Sequence, residues 1–207
     1  MNTAGSVGFG GYALAEPFRL NVTRYAVSPP NWPKGLRLRV VVIADIHVCE
    51  PWMSLERVRQ IVARTNALAP DIVLLPGDFV ASHRISKMSG FVPHDEWARA
   101  LAQLNAPIGR HAVLGNHDWW EDIAVQRRRS GPVAAEALER AGVPVYENDV
   151  MRLKKDGQAF WIAGLGDQWA FWAKRENYQR FRRRGTSTTK ASTISTARLR
   201  KPLTMHR

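Results

Sequence analysis

The stretch Leu38-Arg-Val-Val-Val-Ile-Ala-Asp-Ile-His47 decides the fold class. Its first seven residues are almost continuously apolar and rich in β-branched side chains, the pattern of a strand buried on both faces in a parallel sheet. It then breaks into Asp-Ile-His, which ends the strand on two polar residues. Two further runs repeat the arrangement. Asp71-Ile-Val-Leu-Leu75 runs into Gly77-Asp78, and Arg110-His-Ala-Val-Leu114 runs into Gly115-Asn-His-Asp118.

Helical patterns separate these runs. Ser54 is a suitable N-cap, and Leu55, Val58, Ile61, Val62 and Leu68 follow at helical spacing. Trp97, Ala100, Leu101 and Leu104 make a second stripe. A third helix is bounded by Pro132 near its first turn and Gly142 just past its end. Short strands are expected at 143–146, 150–154 and 159–163, with Asp156-Gly157 as the hairpin turn between the last two. Leu20 to Val27 alternates loosely and reads as an edge strand. Strands alternating with helices point to an α/β layered fold with a mainly parallel central sheet.

The 207 residues suffice for one medium domain, and a 45% hydrophobic content is that of a globular chain. The single cysteine, Cys49, excludes an internal disulfide framework and a Cys-rich zinc module. The net charge of +12 resides mainly in the last 34 residues, where only Glu176 is acidic. Thr186 to Arg207 has no acid and no apolar periodicity and is expected to be disordered. The basic stretch has no aromatic residue after Phe181 to stack on bases, so nucleic acid is not the expected partner. At the other end, Gly5 to Ala15 is small and apolar without a basic start. It reads either as the end of a membrane helix beginning upstream or as a frayed start. The expected organisation is an N-terminal segment over 1–36, a folded α/β domain over 37–173 and a basic tail over 174–207.

Ligands of open α/β sheets gather beyond the carboxyl ends of the strands. The three strand ends would therefore bring Asp45, His47, Asp78, Asn116 and His117 into one cleft. Oxygen and imidazole donors without thiolate suit Mn²⁺, Fe, Zn²⁺ or Mg²⁺ and do not select among them. Each motif alone is weak, since an acid and a histidine after a strand are ordinary loop residues. The three in this order and context are far more specific.

The order Asp-x-His, Gly-Asp, Gly-Asn-His-Asp resembles the calcineurin-like metallophosphoesterases, strongly over 38–120 and more loosely over 121–168. Val113-Leu-Gly-Asn-His-Asp-Trp119 and Gly164-Leu-Gly-Asp167 resemble a bacterial, membrane-associated subgroup that includes UDP-2,3-diacylglucosamine pyrophosphatases. The resemblance implies a layered metallo-dependent phosphatase-like sandwich around a mixed or parallel sheet. It implies two divalent metal ions and hydrolysis of phosphate esters or pyrophosphates, at a membrane face or in the cytoplasm of a bacterium. Carried over by residue, Asp45 and His47 bind the first metal, Asp78 bridges the two, and Asn116 binds the second. His117 stands beside the phosphate to stabilise charge or protonate the leaving oxygen, and Asp118 orients His117.

The sequence departs from that pattern downstream. The family continues with a further metal-binding histidine and a Gly-His-x-His element, whereas the only histidine after His117 is His206. The fold is thus expected to be incomplete at its C-terminus. The break in composition near Gly185 is what a change of reading frame predicts. Two other readings compete with an enzyme: a metal-binding protein without turnover, and a binding protein for nucleic acid or membrane surfaces. Blander readings apply elsewhere. His83 and His94 are expected in a loop, His111 in a strand, and Cys49 as a packed thiol. Trp119 and Trp120 are core or cleft wall, and Arg127 to Arg129 approach a helix in solvent or attract an anionic substrate.

Overall fold

The computed structural model describes residues 19–82, 90–122, 125 and 131–172. Strands β1 (Val40–Val42), β2 (Ile72–Leu75) and β3 (Arg110–Ala112) form a parallel sheet in the order β1-β2-β3. Val41 pairs with Val73, and Leu74 with His111. The connections are helical, α1 (Leu55–Ala67) between β1 and β2 and α2 (His94–Leu101) between β2 and β3. After β3 come the short α3 (Asn116–Trp120), then α4 (Val133–Arg140), the hairpin β4 (Asp149–Lys155) and β5 (Gln158–Gly164), and α5 (Gln168–Trp172).

Local chemistry explains these boundaries. The Ser54 hydroxyl accepts the Arg57 N–H at 3.2 Å and caps α1. Pro132 precedes α4, and Gly142, with φ +79°, follows its end. Asp156 and Gly157 both have positive φ, the geometry of a two-residue hairpin turn that matches strand twist. Buried side chains of α1, α2 and α4 meet β2 and β3 in one core that includes Val58, Val73, Leu75, Trp97, Leu101 and Leu138.

Four sequence expectations are corrected. Val40 and Val42 are exposed, so β1, at the edge of the sheet, is open on one face, whereas three of the four β2 residues are buried and Leu74 is half-buried. Leu20 to Val27 is not a strand, because no other strand pairs with it. Residues 143–146 contribute a single parallel bridge, Val145 with Ala112. His94 is the first residue of α2, where Asp95 and Glu96 favour a helix start. His111 is a buried strand residue as expected. His83, Arg127 to Arg129, Gly5 to Ala15 and the basic tail lie outside the described residues.

Candidate active site

The chain continues past each strand as a parallel track. The Asp45 N–H donates to Gly77 O at 3.2 Å, the His47 N–H to Asp78 O at 3.0 Å, and the Val48 N–H to Phe79 O at 2.8 Å. These bonds run the two strand ends side by side and place Asp45, His47 and Asp78 together. One ligand atom from each lies within 4.8 Å of the other two. All three residues have positive φ, at 54°, 40° and 55°. Side-chain-bearing residues rarely take that conformation, and it concentrates where a site over-determines the backbone.

The His47 ring is held through one nitrogen. His47 Nδ1 lies 2.9 Å from the Val80 carbonyl oxygen, which can only accept, so Nδ1 carries the proton. Nε2 then keeps its lone pair and stands 3.9 Å from Asp78 Oδ2. A ring held by a carbonyl on one nitrogen and open on the other is the usual condition of a metal-binding histidine. Two carboxylates and this imidazole fit a divalent cation of the Mn²⁺, Fe, Zn²⁺ or Mg²⁺ group.

The third strand end closes on the same acid. The His117 N–H donates to Asp78 Oδ1 at 2.9 Å. A Cβ at Gly115 would collide with that carboxylate, so the acid lies directly against the glycine backbone. Asn116 opens α3 between these two residues. The rings of His47 and His117 meet edge to face with centroids 5.0 Å apart, and Trp120 flanks His117 at 5.8 Å.

Asp118, expected to orient His117, hydrogen-bonds backbone N–H groups and not the His117 ring. Its carboxylate is almost wholly buried and accepts four backbone N–H groups. Oδ2 takes those of Asp78 and Gly115 at 2.9 and 3.0 Å, and Oδ1 those of Phe79 and Val80 at 2.8 and 3.1 Å. It is a clasp between the second and third strand ends. Burial is the largest influence on its acidity and, with the Asp78 charge adding to it, pushes the carboxyl up to about 6 against the pull of its N–H donors. The partner of His117 is Glu121, one helical turn on, whose Oε1 is 3.3 Å from His117 Nδ1. The sequence reading missed Glu121. Its only signal was the i, i+4 spacing from a histidine, which is neighbourly only if residues 117–121 are helical.

Phe79 anchors this assembly from below. Fully buried, it stacks on Trp97 of α2 with centroids 5.5 Å apart and planes 4° from parallel. Cys49 is a buried free thiol, Trp119 packs partly against the core, and Trp120 is exposed.

The sequence profile of calcineurin-like phosphoesterases matches residues 38–185. The chain belongs to the calcineurin-like phosphoesterase family. The matched span continues beyond residue 173, where the sequence reading ended the domain. An uncharacterised metallophosphoesterase of Aquifex aeolicus is 31% identical over 158 residues, which are 76% of this chain and 53% of that protein. The UDP-2,3-diacylglucosamine pyrophosphatase of Chlamydia trachomatis is 31% identical over 140 residues, 64% of this chain and 40% of the relative. The phosphodiesterase YaeI of Escherichia coli is 27% identical over 169 residues, 81% and 57% respectively. The chain thus spans about half the length of these calcineurin-like relatives. No solved structure matches it significantly. Among the described residues, no helix is long and apolar enough to cross a membrane.

Proposed function

We propose that the protein is a metal-dependent hydrolase of phosphate diesters or pyrophosphates, built on the cluster of Asp45, His47 and Asp78. The observation that carries this reading is the convergence of the three ligand atoms within 4.8 Å at the ends of two parallel strands. In this reading Asp45, His47 Nε2 and Asp78 Oδ2 hold one cation, and Asp78 with Asn116 holds a second. Divalent cations bound there neutralise the anionic ester and make water a better nucleophile. The chain's own residues do the rest. Val80 O fixes the His47 tautomer, the Asp118 clasp sets the Asp78 loop against Gly115, and His117 stands beside the cluster to meet charge developing on the phosphoester. The activities for which two relatives are named, on a UDP-sugar pyrophosphate and on phosphodiesters, support those two substrate classes.

Titration calorimetry with Mn²⁺, followed by hydrolysis of bis(4-nitrophenyl) phosphate, tests the reading. Metal binding with turnover is the expected result, and absence of metal binding would sink it. A second reading, a metal-binding protein without turnover, is favoured by the ligand count. The cluster among the described residues has one imidazole. Stoichiometric metal without hydrolysis is its signature.

A further inference from the structure

We propose that Glu121 is a positioning residue that fixes the tautomer and direction of His117, so that Nε2 is the nitrogen turned to the phosphoester. The inference rests on the reading of His117 given above. It starts from how completely the His117 ring is held. Its backbone N–H is spent on Asp78 Oδ1 at 2.9 Å. Its ring is packed edgewise between His47 and Trp120, at 5.0 and 5.8 Å. Only Nδ1 has a hydrogen-bond partner among the described residues, the Glu121 carboxylate at 3.3 Å.

Glu121 is well placed to impose a tautomer. Its side chain is 12% exposed, and that of His117 is 26% exposed, so water competes weakly for the bond. The ionised carboxylate only accepts, which makes Nδ1 the protonated nitrogen. With Nδ1 tied, the opposite ring nitrogen faces away from Glu121. Which nitrogen of a histidine is available is set by the bond the other makes. His47 is governed by the same rule through the Val80 carbonyl. The two imidazoles that meet at the cluster are therefore both held by Nδ1, one by a backbone carbonyl and one by a carboxylate. Asp118, adjacent in sequence to His117, cannot take the task, because both its oxygens are filled by backbone N–H groups.

The test is the tautomer of His117, read from long-range ¹H–¹⁵N correlations of the full chain at mildly alkaline pH and assigned by loss of the signal in His117→Ala. The native protein should show Nδ1–H. Glu121→Gln, which keeps an acceptor oxygen, should retain it. Glu121→Ala, with an unchanged circular dichroism spectrum, should shift the ring towards Nε2–H. In the Mn²⁺-loaded protein, Glu121→Ala should lower kcat for bis(4-nitrophenyl) phosphate by about 10–100-fold, the range typical for residues behind a functional group. KM and metal stoichiometry should stay near native. An Nε2–H signal in the native protein, or an unchanged tautomer in Glu121→Ala, overturns the inference while leaving the reading of the cluster intact. Full turnover by His117→Ala overturns the role of His117 itself and the inference with it.

Discussion

The backbone N–H of His117 donates to Asp78 Oδ1 at 2.9 Å, so the helix that follows β3 is joined to the strand end of β2 at the acid of the candidate metal cluster. Asp78 Oδ2 is the oxygen that faces His47. One carboxylate thereby splits its work, holding the start of α3 with one oxygen and facing His47 with the other.

Substituting each partner separates these roles. Asp78→Asn removes the charge that two cations would share and should abolish binding of Mn²⁺ at both sites in calorimetry. His117→Ala keeps its N–H on Asp78 and should bind Mn²⁺ like the native protein. It should lose about 10²–10⁴-fold in turnover, the range for a positioned acid or charge stabiliser. Loss of metal in His117→Ala would mean that the imidazole is a ligand.

Gly115→Ala should damage the centre without replacing any of the proposed ligands. A Cβ there would run into the Asp78 carboxylate and the backbone nitrogen of Asp78. The acid has to move away from His47 or the two loops have to part. Mn²⁺ affinity should fall at least about tenfold, as it does when support behind a ligand is lost. Native affinity in this variant would show that the close approach is not required.

Much of this arrangement was legible before the structure. The β-branched run at 38–44, Ile72 to Leu75 and the capped α1 follow from period and cap chemistry alone, and their parallel order follows from the helices between them. Asp45, His47 and Asp78 stand out in the sequence because each lies where an apolar run ends, and the fold brings them together. Two things were hidden. The exposed face of Val40 and Val42 depends on what else packs on the sheet, which an apolar run does not encode. That the His117 ring meets Glu121 and not Asp118 depends on the direction of side chains on a five-residue helix and its C-cap. Adjacency to His117 suggested Asp118, but on that helix Asp118 points to the loops and Glu121 lies one turn along.

A pH-dependent contribution comes from Asp71. Its Oδ2 accepts the Arg39 N–H at 2.7 Å and is 2.7 Å from Lys155 Nζ, tying the start of β1 to the hairpin. Partial burial alone raises this carboxyl, but the bonds from Arg39 and Lys155, together with their charges, outweigh it and hold the group below its ordinary value. A depressed folded value means that the unfolded chain takes up the proton first as pH falls. The stabilisation is therefore complete above an unfolded pKa of about 3.9 and is lost as pH drops through the lower folded value. Asp71→Asn should cost about 1 kcal/mol near neutrality, and the gap to the native protein should close below about pH 4 in urea melts. A gap that persists at low pH would assign the effect to packing.

The Asp118 clasp gives the most decisive test of how the site is built. Four N–H groups converge on its two oxygens, and it is 1% exposed, so water cannot replace either oxygen. Asp118→Asn keeps the shape but turns one acceptor into a donor, which then faces N–H groups with nothing to give them. Leaving buried donors unpaired costs about 1–3 kcal/mol each, so the variant should lose about 2–5 kcal/mol. For a chain of this size that is a fall of about 4–20 °C in Tm. The loosened loops carry Asp78 and Gly115, so Mn²⁺ affinity should fall along with stability. The His117 tautomer should not change, because Glu121 and not Asp118 holds Nδ1. Calorimetric melting and the imidazole ¹⁵N spectrum of one variant thus separate two accounts of the same residue. A large loss of Tm with the native tautomer fits a clasp. An unchanged Tm with an altered tautomer would return Asp118 to the orienting role that its place beside His117 first suggests.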